Sequence, residues 1–245
     1  AMTRFRAVLT GDWHIDARTC GVERREEIKR AVMQGPVAAA IDSHADMFAF
    51  LGDLCDPGGR SAVHDATFPI EVASKLELAS VPSAWIAGNH DVVLRDGGHT
   101  TLDPLDALRD WGEFRHVVAK GYPSCLVLDP VRVLMLPYSH REEDWDIRGA
   151  ALAEVEGVAP LVVLGHCTSF AGVAPDLEAP EFTRGKGRPW PALPRVPLFA
   201  ANGHYHTPTE IDVSEYKVHV PGSIVSLTFG DAGSRRGFSI VDLEV

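Results

Sequence analysis

Ala201-Asn202-Gly203-His204-Tyr205-His206 closes an apolar run that begins at Val196. The run reads as a buried strand ending at Gly203. In a strand, two histidines spaced two apart project from one face, and in the turn that follows they converge on a point. Such a pair is common on protein surfaces and carries little by itself. Four upstream stretches change its meaning: Gly11-Asp12-Trp13-His14, Gly52-Asp53-Leu54-Cys55-Asp56, Gly88-Asn89-His90-Asp91 and Gly165-His166. Each places Asp, Asn or His where an apolar run gives way to a loop, with glycine close by. Five strand ends delivering carboxylate, amide and imidazole groups to one edge is the layout of a metal site built on a sheet.

The intervening sequence supports that layout. Phe5 to Thr10 is an apolar strand that delivers Asp12 and His14. Val22 to about Ser43 reads as a helix, charged from Glu23 to Arg30 and then apolar, with Gly35-Pro36 placed to kink or break it. Met47 to Leu51 and Ser83 to Ala87 are further strands, separated by apolar residues at helical spacing from Ala62 to Leu78. This alternation predicts parallel strands in the first half. After a helix near Leu102 to Trp111, Ser124 to Asp129 and Val131 to Pro137 read as a tight antiparallel hairpin. A short helix near Glu142 to Val155 precedes the strand Leu161 to Leu164, and the tail from Glu210 to Val245 alternates short strands with turns. The expected fold is α/β of the α+β kind: a two-sheet β-sandwich of mixed strands flanked by helices, as a single domain over residues 1–245. Thr168 to Pro197 is the one long irregular stretch, and it holds Arg184, Lys186, Arg188 and Trp190. Loops of that length are commonly functional. This one leaves the Gly165-His166 strand end and returns to the strand that ends at Gly203, so it starts and finishes beside the proposed site.

Composition sets further bounds. The 245 residues are 45% hydrophobic, enough for a sizeable core. No apolar stretch reaches membrane-span length and no charged-then-apolar leader opens the chain. Cys20, Cys55, Cys125 and Cys167 lack paired short spacing, which argues against a disulfide framework or a zinc knuckle. The expectation is a cytoplasmic protein with no membrane partner. Cys55 and Cys167 lie in or beside the blocks but read as small apolar fillers. The net charge is −11, from 23 basic and 34 acidic residues, and such a surface repels a phosphate backbone at large. It does not argue against phosphate chemistry, because acids that hold metal are neutralised there.

The five blocks, in this order across residues 12–206, resemble the calcineurin-like metallophosphoesterase superfamily. The tail after Tyr216, with Pro221-Gly222-Ser223 and Phe238-Ser239-Ile240-Val241, is similar to the nuclease branch that works in double-strand-break repair. The resemblance covers nearly the whole chain and implies a centre of two divalent metals. By it, Asp12, His14 and His206 hold the first ion, Asn89, His166 and His204 hold the second, and Asp53 bridges them. Imidazoles with carboxylates suit Mn²⁺, the leading choice, or Fe, Zn²⁺ or Co²⁺ better than Mg²⁺ or Ca²⁺. Two ions about 3.5–4 Å apart can clamp the attacking and leaving oxygens of an in-line displacement, with a metal-activated hydroxide attacking phosphorus. His90 resembles the family's non-ligand histidine, which stabilises phosphoryl oxygens and protonates the leaving oxygen. Asp91 either orients His90 or caps a helix start. Asp56 reads as an outer partner or a turn former. His99, just behind Gly97-Gly98, and the loop residues Arg184, Lys186 and Arg188 are the candidates for substrate binding.

The implied activity is a metal-dependent phosphoesterase that hydrolyses phosphodiester bonds. A small-molecule phosphodiester, a 2′,3′- or 3′,5′-cyclic nucleotide, is the expected substrate. The negative charge, a chain that closes soon after its last strand and a long loop able to narrow the site all favour it. The alternative is a DNA exo- or endonuclease of the repair type, with nucleic acid as partner; the tail and the basic loop cluster favour that reading. A phosphomonoesterase also fits the five blocks. A non-catalytic scaffold fits less well, because the chain keeps every ligand. The sequence names no protein partner.

Overall fold

The structure, a computed structural model, describes residues 3–56, 63–92, 99–108, 116–120, 122–138, 160–170, 189–191, 193, 195–228, 231, 233 and 235–245. Strand β1 (Arg4–Thr10) is followed by a short hairpin, β2 (Arg18–Thr19) and β3 (Val22–Glu23). Helix α1 (Arg25–Val32) passes through a π-helical turn (Met33–Val37) into α2 (Ala38–Asp42). Then come β4 (Met47–Phe50), α3 (Val63–Leu78), β5 (Ser83–Ile86), α4 (Asp103–Leu108) and β6 (His116–Ala119). The second half holds β7 (Ser124–Leu128), β8 (Val131–Leu136), β9 (Leu161–Gly165), β10 (Phe199–Asn202), β11 (Thr209–Val213), β12 (Tyr216–Val220) and β13 (Ser239–Glu244).

These strands build two large mixed sheets. One has the order β13-β1-β4-β5-β6, parallel except for β13. The other has the order β11-β12-β10-β9-β8-β7, with four parallel strands between antiparallel edges. Alternation along the strands sends Leu9, Ala49 and Ile86 from the first sheet, and Val133, Met135 and Val162 from the second, into one shared apolar layer. The other face of the first sheet packs Val8, Phe48 and Trp85 against Ile28, Val32, Val72 and Leu76 of α1 and α3. Residues from the outer face of the second sheet, including Leu136, Val163 and Val218, cluster with Phe170, Trp190 and Tyr205.

Three local outcomes refine the sequence reading. The first helix is neither ended nor sharply broken at Gly35-Pro36. It widens there by a π-helical turn, which absorbs the proline's missing N–H and the crowding of its ring. The strand expected from Val196 begins only at Phe199, which pairs with Val162. Its neighbour β9 starts at Leu161, whose carbonyl accepts from Leu198 N–H at 2.8 Å; Val196 and Leu198, before the strand, are 51% and 42% exposed. The long loop is pinned where its described ends meet: Trp190 N–H donates to the Ser169 carbonyl at 2.7 Å, and Phe170 and Trp190 stack at 5.4 Å. Arg184, Lys186 and Arg188 lie outside the described residues, as does the helix expected near Glu142 to Val155.

The parallel strands matter most for what they align. Thr10, Phe50 and Trp85 share one register in the first sheet, and Leu136, Gly165 and Asn202 share another in the second. Ligand sites in open parallel sheets form beyond such carboxyl ends. Pairing runs past the strands: Asp12 N–H donates to Gly52 O at 2.8 Å, His14 N–H to Asp53 O at 3.1 Å and Gly203 N–H to Gly165 O at 2.9 Å. Trp13 anchors the first of these segments. It is fully buried, lies 4.5 Å from the Phe50 ring and edge-on to Phe68 and Trp85, and donates its indole N–H to Thr10 Oγ1 at 2.9 Å. Trp13→Ala is expected to lower the stability of the fold by about 3–5 kcal/mol in urea unfolding. A loss under about 1 kcal/mol would contradict this anchoring role.

Candidate metal centre

Four residues near the strand ends turn the chain through the left-handed region: Asp12 (φ 49°), His14 (φ 45°), Asp53 (φ 60°) and His204 (φ 75°). Each costs of order 1–3 kcal/mol for a residue with a Cβ, and such strain gathers at functional sites. Glycines complete the approach. A Cβ on Gly88 would overlap the backbone nitrogen and Oδ1 of Asp53, and one on Gly203 would overlap the Leu51 carbonyl.

The result is a compact cluster of two groups, with His90 close enough to His14 and Asp53 to form a third that overlaps them. Asp12, His14 and His206 place ligand atoms within 4.8 Å of one another, and so do Asp53, His166 and His204. His14 Nε2 and His206 Nε2 face each other at 3.2 Å. Asn89 Oδ1 lies 3.0 Å from His166 Nε2 and 2.9 Å from His204 Nδ1, so it joins the second group. Asp53 Oδ2 stands between the groups, 3.3 Å from His166 Nε2 and 3.9 Å from His14 Nε2. The two histidines of the Gly203-His204-Tyr205-His206 turn therefore part toward different groups, as the family resemblance implies, instead of converging on one point. The positive φ at His204 sends that ring to the second group, while His206 reaches the first.

Several buried polar atoms of the cluster have no hydrogen-bond partner: both carboxylate oxygens of Asp12, His14 Nδ1 and His204 Nε2. A fully buried carboxylate with neither oxygen bonded is costly unless a cation meets it. His166 lies 2.6 Å from the Leu51 carbonyl through Nδ1, so Nδ1 carries a proton and Nε2 faces the oxygens of Asn89 and Asp53. Oxygens and imidazole nitrogens turned toward one another are held together by imidazole protons here, and a pair of divalent cations can take the place of those protons. The residues fit that group.

Burial and mutual charge sort the ionisation of the cluster. Burial, then the charge of Asp53, pushes Asp12 up to about 7. Burial opposes protonation of His166, but the Asp53 carboxylate outweighs it and carries the ring to about 9. Burial, reinforced by His166, drops His204 to about 3, and burial with His14 drops His206 to about 4. Against its own burial, Asp53 is held well below the usual carboxylate range by His166 and His90. A metal takes its ligands as carboxylate and neutral imidazole, and burial already favours the neutral form of His204 and His206.

His90 is one-fifth exposed at the rim, its ring 5.0 Å from that of His14, with its backbone N–H on Asp53 Oδ1 at 2.9 Å. Burial lowers its proton affinity. Asp91 does something other than orient His90 or cap a helix. Its carboxylate accepts from the backbone of Gly88 (2.7 Å), Asp53 (2.8 Å) and Leu54 (2.9 Å) and from Thr101 Oγ1 (2.6 Å). These donors use the lone pairs of both oxygens, so Asp91 ties the second block to the third. Asp56 faces the His90 ring, 4.0 Å from its Nδ1 and 3.6 Å from His14 Nδ1, with its side chain half exposed. His99 is taken up elsewhere: it is exposed and bonded through Nδ1 to Asp103 Oδ2 at 2.8 Å, at the start of α4. A substrate-binding role for His99 gains nothing from these contacts.

Asn202 carries a role that its local sequence does not announce. It is buried, accepts from Cys167 N–H at 2.7 Å and donates to Cys167 O and Gly203 O, which locks the fourth block to the fifth. Its place one residue before Gly203 is the only sequence signal for it. Cys55 and Cys167 are buried and outside any disulfide, and burial pushes Cys167 well up. No helix among the described residues is long and apolar enough to cross a membrane.

Known proteins resemble this chain to different depths. The D component of the nuclease SbcCD from Bacillus subtilis (strain 168) is 24% identical over 259 residues, covering 97% of this chain and 66% of that protein. The chain thus spans just under two thirds of that relative. A dimetal phosphatase from Danio rerio superposes with a TM-score of 0.54 at 12% identity, over 98% of this chain and 92% of its own. The Thermus thermophilus protein TT1561 gives 0.52 at 14% identity, over 91% of each. At such identities the two structures speak for the fold alone. The family model for calcineurin-like phosphoesterases matches residues 5–208, from β1 through all five blocks. A match over that much of the chain settles its kinship: this protein belongs to the calcineurin-like phosphoesterase family, and it is a hydrolase.

Proposed function

We propose that the chain is a two-metal phosphodiesterase acting on small phosphodiesters, with 2′,3′- or 3′,5′-cyclic nucleotides foremost. The observation that carries the reading is the pair of ligand groups meeting at Asp53, with the His90 ring beside them. Asp12, His14 and His206 would hold one divalent cation and Asn89, His166 and His204 the other, with Asp53 shared and Mn²⁺ the preferred ion. When bound, such a pair supplies Lewis-acid charge at phosphorus and a water acidic enough to attack it.

The protein's own groups do the rest. The left-handed turns and the Asp91 ties hold the ligand atoms in place before substrate arrives, so little reorganisation is left for the reaction. His90 Nδ1 is buried, so the ring meets solvent along its other edge. From there it would donate to a phosphoryl oxygen and protonate the leaving oxygen. The phosphate's negative charge would offset the burial that otherwise keeps this imidazole neutral.

A small substrate is supported by the net charge of −11, which disfavours long polyanions. Phe170 stacks on Trp190 and lies 6.3 Å from the ring of Tyr205, which sits between two ligands, so the described ends of the long loop start beside the site. DNA is the second reading, favoured by the nuclease component that the chain resembles at 24% identity.

Chelation is expected to abolish hydrolysis of an aryl phosphodiester, and added Mn²⁺ to restore it. Asp53→Ala should remove both ions together; two equivalents of Mn²⁺ still bound by calorimetry would show that this carboxylate is not shared. His90→Ala should keep metal content near normal and lower turnover by about 10²–10⁴-fold, less for substrates with good leaving groups. An equal loss for good and poor leaving groups would make His90 an electrostatic stabiliser instead of an acid. Finally, cleavage of a cyclic nucleotide should depend weakly on ionic strength. Efficient cleavage of single- or double-stranded DNA, steeply weakened by salt and with little turnover of any cyclic nucleotide, would replace the small substrate with DNA.

A further inference from the structure

The carbonyl of His206 is gripped from far along the chain. Ser223 N–H donates to it at 3.0 Å, and the Nη1 of Arg236 donates to the same oxygen. Arg236 also donates to Ser223 Oγ at 3.3 Å and pairs with Asp231 Oδ1 at 2.9 Å, with its side chain only 7% exposed. Gly237 N–H closes the arrangement on Ser223 O at 3.2 Å. The turn comes very near the ligand. Gly222 has a φ of 80°, and a Cβ there would lie 2.7 Å from the His206 carbonyl. Ser223 also bridges in parallel to Gly11, one residue before Asp12. The tail therefore touches the backbone at two points of the Asp12, His14 and His206 group. The other group is braced differently: His166 by the Leu51 carbonyl and Asn89 by its two histidines. All of these tail residues lie beyond residue 208, where the family match ends.

We propose that Arg236 is a positioning residue for the Asp12, His14 and His206 group. With Ser223 it fixes the His206 backbone so that the imidazole meets His14, and the tail thereby sets the metal affinity of this group and not that of its neighbour. The physical reason is the arginine's fork. One guanidinium donates to the ligand's carbonyl while its other arm is tied to Asp231, so the carbonyl cannot rotate without losing a charged hydrogen bond whose donor a buried ion pair holds in place. Outer partners of this kind typically change metal affinity by about 10–100-fold.

The proposal rests on the two-metal reading above, and the test separates them. Metal-free wild type, Arg236→Met, Arg236→Lys and Asp231→Asn are titrated with Mn²⁺ by calorimetry. Wild type should take up two equivalents. Arg236→Met should weaken one of them by about 10–100-fold and leave the other unchanged, with Arg236→Lys recovering part of the loss. In a His206→Ala background, Arg236→Met should no longer change metal uptake, because the ligand it positions is gone. Undiminished binding of both equivalents by Arg236→Met, or equal weakening of both, overturns the positioning role while leaving the metal centre intact. No metal uptake by wild type overturns the metal centre itself. Should Arg236→Met fail to fold, Asp231→Asn leaves the guanidinium present but unanchored; it should weaken the same single equivalent, and unchanged binding there would also overturn the proposal.

Discussion

Asp12 is a carboxylate sealed from water with no hydrogen bond to either oxygen, and the rest of the site is arranged around that unmet charge. Asp53, also buried, stands in the same cluster. Two carboxylates cannot share so dry a space without positive charge between or beside them. Imidazoles supply part of it, which is why His166 is carried to about 9. A divalent cation would supply more, and the Nε2 atoms of His14 and His206, 3.2 Å apart, stand where both could turn to one.

Holding such a cluster together requires a stiff frame. Parallel strands of two sheets end at the same edge, and hydrogen bonds continue past the ends from one loop to the next. The apolar layers beneath leave those ends little room to shift. Asp91 and Asn202 do the finer work, each tying neighbouring blocks through several backbone groups. Their contribution is positional, since neither side chain bonds to an imidazole of the cluster among the described residues. The left-handed conformations at Asp12, His14, Asp53 and His204 are sustained by this frame, because a lone turn would relax out of them.

The two ligand groups differ in how they are supported. The second is braced from within the block structure that the family shares, through Leu51 and Asn89. The first depends on a tail whose Arg236 carries a full charge into a nearly closed environment. A buried guanidinium is tolerated only when paired and bonded, and here its pairing with Asp231 is joined to the backbone of a ligand. Family membership thus defines the five blocks, while a segment outside the matched region touches the centre they form.

Much of this was legible in the sequence because the relevant signals are local. Strand periodicity, the glycine beside each block and the residue types at the strand ends need only a few neighbours to be read. They led to parallel strands, the β7–β8 hairpin and the set Asp12, His14, Asp53, Asn89, His166, His204 and His206, which the fold brings into one cluster. What only the tertiary structure decided are relations between distant residues. The family resemblance already implies that His204 and His206 serve different ions, but the backbone angle and the partners 115 and 192 residues away that part them belong to the fold. Asp91 bonds to loops 37 and 38 residues earlier instead of to the adjacent His90, and Arg236 reaches back 30 residues to the His206 carbonyl. A side chain's type limits which bonds it can make, but the partner it finds depends on which strands lie side by side, and packing the two sheets decides that.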